Sequence, residues 1–292
     1  MTQVHLYPDA GTEQKLRTFY SEGRDHPLLR KGFIFDVDGV LCWDEDIVPG
    51  SPEAIARLRQ GGKSVIFISN NSTKSRVDYI SKFERLGIPI TEQDLVLSTY
   101  ATARYVAQEH PGARVYMLGA AGLRKELELA GLNLIDDPFQ AQYVVVGTVF
   151  DGNGKISEEN SRRITDALQA LYYAKAKFIA ANPDRMLPTK GGVIPDTGAV
   201  IGALSYMLER QPDAIIGKPT PHIVQMALDR TGLKPEDCVI VGDMDTDMLA
   251  GQHTGIATVF VRSGAMTEEM LRQQLGISPD FTYDKVIDIL QL

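Results

Sequence analysis

The feature that most limits this 292-residue chain is an alternation that runs almost from end to end. Short β-branched runs are each followed by a helical pattern, the sequence form of a parallel α/β sheet layered with helices. Phe33-Ile34-Phe35 reads as the first buried strand. Ser51-Pro52-Glu53 then opens a helix: Ser51 is expected to cap the free amides, Pro52 suits the first turn and Glu53 complements the dipole. Gly61-Gly62 ends that helix and Val65-Ile66-Phe67-Ile68 is the next strand. A helix from Lys74 to Arg85 stops at Leu86-Gly87, with Pro89 beyond it. The later half behaves alike, with strands at Ala214-Ile215-Ile216, Val239-Ile240-Val241 and Ile256 to Val261. Polar residues follow each strand at its carboxyl end, where open α/β sheets bind ligands.

A second α/β block lies between 98 and 195. It has strands at Arg114 to Leu118, Tyr143 to Val146 and Phe178 to Ala181, with helices over 121–130 and 158–173. We read it as an insertion that divides the first domain into 31–97 and 196–292. Residues 1–30 form an N-terminal extension, helical around Thr12 to Ser21.

Composition narrows the class. A chain of this length buries about three quarters of its unfolded surface, and 43% hydrophobic residues supply the core without staples. Cys42 and Cys238 are too few for a disulfide framework and read as reduced thiols. A formal net charge of −8 argues against a nucleic-acid partner. No apolar run approaches the ~18 residues of a membrane span. The stretch MTQVHLYPDAGTEQK has no apolar signal core. These features point to a cytoplasmic globular enzyme or ligand binder with no membrane partner.

The densest chemical signal is Asp36-Val37-Asp38-Gly39-Val40-Leu41, directly after the first strand. Alternation in an extended chain points Asp36 and Asp38 to one side. Two such carboxylates repel, so one tends to be ionised and the other protonated unless a cation intervenes, which suits a nucleophile beside a general acid. Ser69-Asn70-Asn71 offers a hydroxyl, amides and a helix start that could hold a phosphate, or simply a helix cap. Lys218, between Gly217 and Pro219, places its ammonium in the strand-end crevice or bends out to solvent. Asp243 offers oxygen ligands suited to Mg²⁺, or caps the helix that starts near Thr246. Four such sites in this order fit one shared site better than four independent accidents.

Together these motifs resemble the haloacid dehalogenase superfamily. Asp36-x-Asp38-Gly39-Val40-Leu41, Ser69-Asn70-Asn71-Ser72, Ala181-Asn182-Pro183-Asp184, Gly198-Ala199, Gly217-Lys218-Pro219 and Thr246-Asp247-x-Leu249-Ala250-Gly251 are similar to its type IIA-capped phosphatases. The resemblance covers about residues 31–265. It implies a Rossmann-like doubly wound parallel sheet core with an inserted α/β cap domain. It implies Mg²⁺-dependent hydrolysis of a small phosphate ester, with Asp36 as the nucleophile that becomes an aspartyl-phosphate and Asp38 as general acid, then base. Ser69 and Lys218 would hold the phosphoryl oxygens, with Asn70 helping through its backbone amide. The metal would be held by Asp36, the main-chain carbonyl of Asp38, and Asp243. Relatives commonly have one more residue between Gly242-Asp243 and Thr246-Asp247; Asp247 is taken for the second acidic role, with Asp245 its competitor. Asn182 and Asp184, at the end of a cap strand, would face the substrate or form a capped turn. Pairing of two copies through the cap is the implied assembly.

Several other features are read as structural. In Asp151-Gly152-Asn153-Gly154-Lys155-Ile156 a calcium loop aligned on Gly154 would need carboxylates at Val149 and Asn160, so a tight turn is expected. Cys42 would need a lowered pKa to react. Trp43 and Asp44 fit either a flap over the site or a partly buried turn. Asp38 speaks against dehalogenase chemistry, which has no alkoxide to protonate. A phospho-metabolite binder of the same fold without turnover is the rival reading.

Overall fold

The computed structural model describes Lys15, Thr18 and residues 25–189 and 192–291. The helical extension expected over Thr12 to Ser21 lies outside them, apart from Lys15 and Thr18, which are helical. In chain order the strands begin β1 (Gly32–Phe35), β2 (Cys42–Trp43), β3 (Asp46–Ile47), β4 (Ser64–Ser69) and β5 (Leu95–Leu97). Next come β6 (Arg114–Leu118), β7 (Asn133–Leu134), β8 (Tyr143–Val146), β9 (Lys177–Ala180) and the pair β10 (Met186–Thr189) and β11 (Gly192–Pro195). The last four are β12 (Ala214–Ile215), β13 (Cys238–Gly242), β14 (Ala257–Val261) and β15 (Phe281–Tyr283). The chain divides into two compact units: Met1–Ser69, Ile80–Val96 and Val224–Leu292 form the first, and Asn70–Tyr79 and Leu97–Ile223 the second.

The first unit holds a six-stranded sheet in the order β15-β14-β13-β1-β4-β5. β1 pairs in parallel with both β13 and β4, and β14 in parallel with β13 and β15. Every residue of β1 and of β13 is buried, so these strands read as continuous apolar runs rather than alternating ones. Phe35 packs on Phe67 and Phe67 on Phe83, with ring centroids 6.2 and 4.9 Å apart. Each such ring contributes roughly 1.5–3 kcal/mol on leaving water. From β1 the chain winds outward through β4 and β5, then returns at β13 and winds the other way. The strand order therefore reverses between β1 and β13, and the loops leaving their carboxyl ends diverge around a crevice.

The helix Ser51–Gln60 forms as expected, but its cap does not. Gly50, in the left-handed region at φ 90°, is the N-cap. Ser51 falls inside the first turn, and its buried Oγ has no hydrogen-bond partner. A side chain at position 50 would also meet Ile287 at 2.8 Å, so the glycine meets a steric need as well as a conformational one.

The second unit holds a five-stranded sheet in the order β12-β9-β8-β6-β7. Its core gathers Tyr116, Val144, Val146, Phe178, Val200 and Leu204. The expected return to the first domain at 196 does not hold. Ala214 and Ile215 pair with Ile179 and Ala180 of β9, and the helix Thr197–Leu208 turns Val200, Ile201 and Leu204 into this core. The second unit accordingly runs on as far as Ile223.

Candidate active site

Asp36 follows β1 directly, and its N–H donates to the Val241 carbonyl at 2.8 Å, which extends the β1–β13 ladder by one step. Asp243 follows β13. The two carboxylates therefore leave neighbouring strands at the reversal of the sheet. Asp247, in the first turn of the helix Asp245–Thr254, joins them: one oxygen from each of Asp36, Asp243 and Asp247 lies within 4.8 Å of the others, and all three residues are buried. Asp247 rather than Asp245 stands in this group, and Asp245 Oδ1 accepts from the N–H of Thr246 at 2.9 Å.

The surrounding chain is shaped to the acids. Asp247 Oδ2 accepts from the Met244 N–H at 3.1 Å, and Asp243 Oδ2 from the Ala265 N–H at 2.9 Å. A Cβ at Gly39, Gly242 or Gly264 would run into Asp243, Asp247 and Asp243 respectively. Three buried carboxylates at this spacing repel by roughly 3–4 kcal/mol per pair at an effective dielectric of ~20. An all-oxygen, anionic donor set in a fitted cradle is what a hard divalent cation takes. The residues therefore fit the implied metal.

Asp38 is placed differently. Its carboxylate is outside the acidic group, and its Oδ1 accepts from Lys82 Nζ at 2.9 Å. Burial, the largest single influence, acts to lower the Lys82 pKa, but the Asp38 charge, the hydrogen bond to it and the neighbouring Cys42 together outweigh it and hold the ammonium above its ordinary value. Trp43 lies in the β2–β3 hairpin, and its Nε1 donates to the Ser263 carbonyl at 2.9 Å. Ser263 Oγ in turn donates to the Gly39 carbonyl at 2.8 Å. The turn after β14 therefore ties the hairpin that follows Asp38 to the segment holding Asp243.

Ser69 is the last residue of β4 rather than the first beyond it, and it is buried. In the second unit, Asn70 is the hub of a buried polar network. Its Oδ1 accepts the Lys218 N–H at 2.7 Å and its Nδ2 donates to the Lys218 carbonyl at 2.9 Å. The Asn182 Nδ2 donates to the Asn70 carbonyl at 2.6 Å, and Asp184 Oδ1 accepts from Asn70 Nδ2 at 3.0 Å. Asn182 Oδ1 also accepts the Asp184 N–H at 3.0 Å, the capped turn that is the alternative to a substrate-facing segment. Lys218 is 2% exposed, so its side chain does not bend out to solvent. It follows β12 and so belongs to the second sheet. Asp36, Ser69 and Asp243 thus lie at strand ends of the first sheet, and Lys218 follows a strand of the second.

The remaining features are structural. Asp151 Oδ1 accepts the N–H groups of Asn153 and Lys155 at 2.8 and 2.9 Å, which closes the Gly-rich turn on itself. Burial, and secondarily the Asp38 charge, pushes the Cys42 thiol up to about 12, the reverse of what a reactive cysteine needs.

Lys82 and the Ser263-Gly264-Ala265 turn are not singled out in the sequence. Lys82 is one charged residue among several on an amphipathic helix and carries no local signal. The turn at 263–265 could be found, because it sits at the carboxyl end of β14 by the same rule that finds Asp243.

This parallel α/β unit, with its acidic group where the strand order reverses, defines a haloacid dehalogenase-like hydrolase. The chain belongs to that family: residues 33–133 match the haloacid dehalogenase-like hydrolase family and 215–289 the HAD-hydrolase-like family. It is 33% identical to an acid sugar phosphatase of Staphylococcus saprophyticus over 89% of this chain and 97% of that protein. It is 33% identical to the chloroplastic phosphoglycolate phosphatase 1A of Arabidopsis thaliana over 99% of this chain and 83% of that one. Among solved structures, a p-nitrophenyl phosphatase from Archaeoglobus fulgidus superposes with a TM-score of 0.83 at 40% identity, covering 90% of this chain and 98% of that one.

Proposed function

We propose that this protein is a Mg²⁺-dependent phosphatase that hydrolyses small phosphorylated metabolites through an aspartyl-phosphate on Asp36. The observation that carries the reading is the buried grouping of Asp36, Asp243 and Asp247 beside an outlying Asp38. It separates a metal-facing acid that must stay ionised from a second acid left to handle protons. Mg²⁺, held by Asp36, the Asp38 carbonyl and Asp243 with Asp247 in support, would supply positive charge to the transferring phosphoryl group.

Asp36 attacks phosphorus while the bond to the ester oxygen breaks, and that oxygen leaves with the proton carried by Asp38. Water then attacks the phosphorus of the aspartyl-phosphate and gives a proton to Asp38. Inorganic phosphate departs and the Asp36 carboxylate is restored. Ser69 and Lys218 are assigned to the phosphoryl oxygens. Asn182 and Asp184 support this assignment from behind, since both bond the Asn70 that grips Lys218. The inserted unit is assigned the choice of leaving group, consistent with the sugar and phosphoglycolate phosphatases among the relatives.

The exposed face of the helix Thr197–Leu208, with Tyr206 88% exposed and Met207 49%, supports pairing of two copies through this unit. No helix among the described residues is long and apolar enough to cross a membrane. The two buried, unbridged cysteines support a reducing, cytoplasmic setting.

The test is turnover of p-nitrophenyl phosphate and a metabolite-phosphate panel with Mg²⁺, in wild type and Asp36→Asn. We expect robust wild-type turnover and a loss of at least about a thousandfold in the variant, the scale on which removing a nucleophile acts. Activity that survives Asp36→Asn would overturn the reading.

A further inference from the structure

Lys82 has no part in the chemistry set out above, yet it is built into the first unit as a dedicated contact. It sits on the helix Arg76–Arg85 beside Phe83, which is fully buried. Its side chain is 13% exposed, against 39% for the Asp38 it bonds. The pair is lopsided, with the cation fixed in the protein and the carboxylate open. Ordering a lysine stem costs about 1.5–2 kcal/mol of rotamer freedom, and an ammonium left in water would avoid it. Cys42 forms an isolated bridge with Asp38. Lys82 therefore holds the turn Asp38-Gly39-Val40-Leu41-Cys42 at its Asp38 end.

We propose that Lys82 is the positioning residue for Asp38, anchoring one carboxylate oxygen so that the group exchanges its proton with the ester oxygen from a fixed place. The inference rests on the phosphatase reading given above. It makes a prediction that a structural lysine would not. A p-nitrophenolate ion delocalises its charge and leaves with little help. An unsubstituted phenolate needs the proton as its P–O bond breaks. The two esters are nearly the same shape, so their difference isolates proton delivery.

The experiment measures phenol release in the first turnover, with enzyme in excess and Mg²⁺ present, from phenyl phosphate and from p-nitrophenyl phosphate. Lys82→Met should slow release from phenyl phosphate by about a hundredfold, and from p-nitrophenyl phosphate by less than about tenfold. In an Asp38→Asn background the same substitution should add no further loss, because its effect passes through that carboxylate. Equal slowing of both esters, no slowing of either, or a further loss in the Asp38→Asn background would overturn the proposal. If Lys82→Met melts early, Lys82→Gln carries the same comparison. Asp36→Asn is run alongside. Phenol release that persists there defeats the phosphatase reading itself, whereas an inactive Asp36→Asn with an unselective Lys82→Met defeats only the role of Lys82.

Discussion

The amide of Asn70 grips Lys218 at two points, taking the backbone N–H at 2.7 Å and giving a hydrogen to the backbone carbonyl at 2.9 Å. A strand neighbour would bond a residue in the same way. One side chain therefore replaces a missing piece of ladder and fixes the backbone from which a buried lysine projects. Asn70→Ala removes both of these hydrogen bonds from buried backbone groups, so a stability loss of about 1–3 kcal/mol is expected in urea unfolding. Turnover should fall with it by about tenfold or more, since misplacing a catalytic group by 1 Å is enough for that. Unchanged stability and turnover would refute the clamp.

Gly217 is where that clamp closes. A Cβ there would stand 2.5 Å from Asn70 Oδ1 and 2.8 Å from the Ala181 carbonyl. Gly217→Ala is expected to destabilise by about 1–3 kcal/mol through overpacking. Thermal melting of the variant checks this.

Gly264→Ala should act on the acids instead. Its methyl would be driven into Asp243, so calorimetric titration should show Mg²⁺ affinity reduced by about tenfold or more while the fold is retained, judged against a second-row effect of that size. Wild-type affinity in this variant would count against Asp243 as a ligand.

The mutual repulsion of Asp36, Asp243 and Asp247 ties the metal to stability. A cation that binds only the folded state at a hundred times its Kd adds about 2.7 kcal/mol. Chelation should therefore lower Tm and abolish turnover, and Mg²⁺ should restore both. A melting temperature indifferent to Mg²⁺ would argue against the site.

Both thiols should be silent in the native protein. Burial raises Cys42 to about 12 and Cys238 to about 11, from an ordinary 9.0. A disulfide reagent near neutral pH should find no reactive thiol before unfolding and two afterwards. The folded pKa values lie above the unfolded one, so this contribution to stability is intact below about pH 9 and is lost as pH rises toward 11 and 12. Urea midpoints on either side of that window test the sign, and Cys42→Val should flatten the decline.

Asp36, Ser69 and Asp243 are legible in the sequence because an apolar strand ending in polar residues is a local pattern, and a parallel sheet places such ends along one edge. The position of Lys218 is less so. Ala214-Ile215-Ile216 is as good a strand for either sheet, and only pairing with Ile179 and Ala180, about 35 positions earlier, decides between them. The same blindness hides Lys82, whose partner is 44 residues away. Asn182 and Asp184 look like ligand residues or turn residues equally well until Asn70 is seen to engage both. Ser51 shows a smaller version of the same effect: its composition suits a cap, and the left-handed backbone at Gly50 takes the place first.

Gly39, Gly242 and Gly264 carry no charge, no donor and no nucleophile beyond their backbone, yet each yields room that Asp243 or Asp247 fills. The acidic site is thus moulded partly by hydrogen atoms standing where carbons usually stand. Anyone transplanting this chemistry to another scaffold would have to copy those three vacancies as faithfully as the carboxylates themselves.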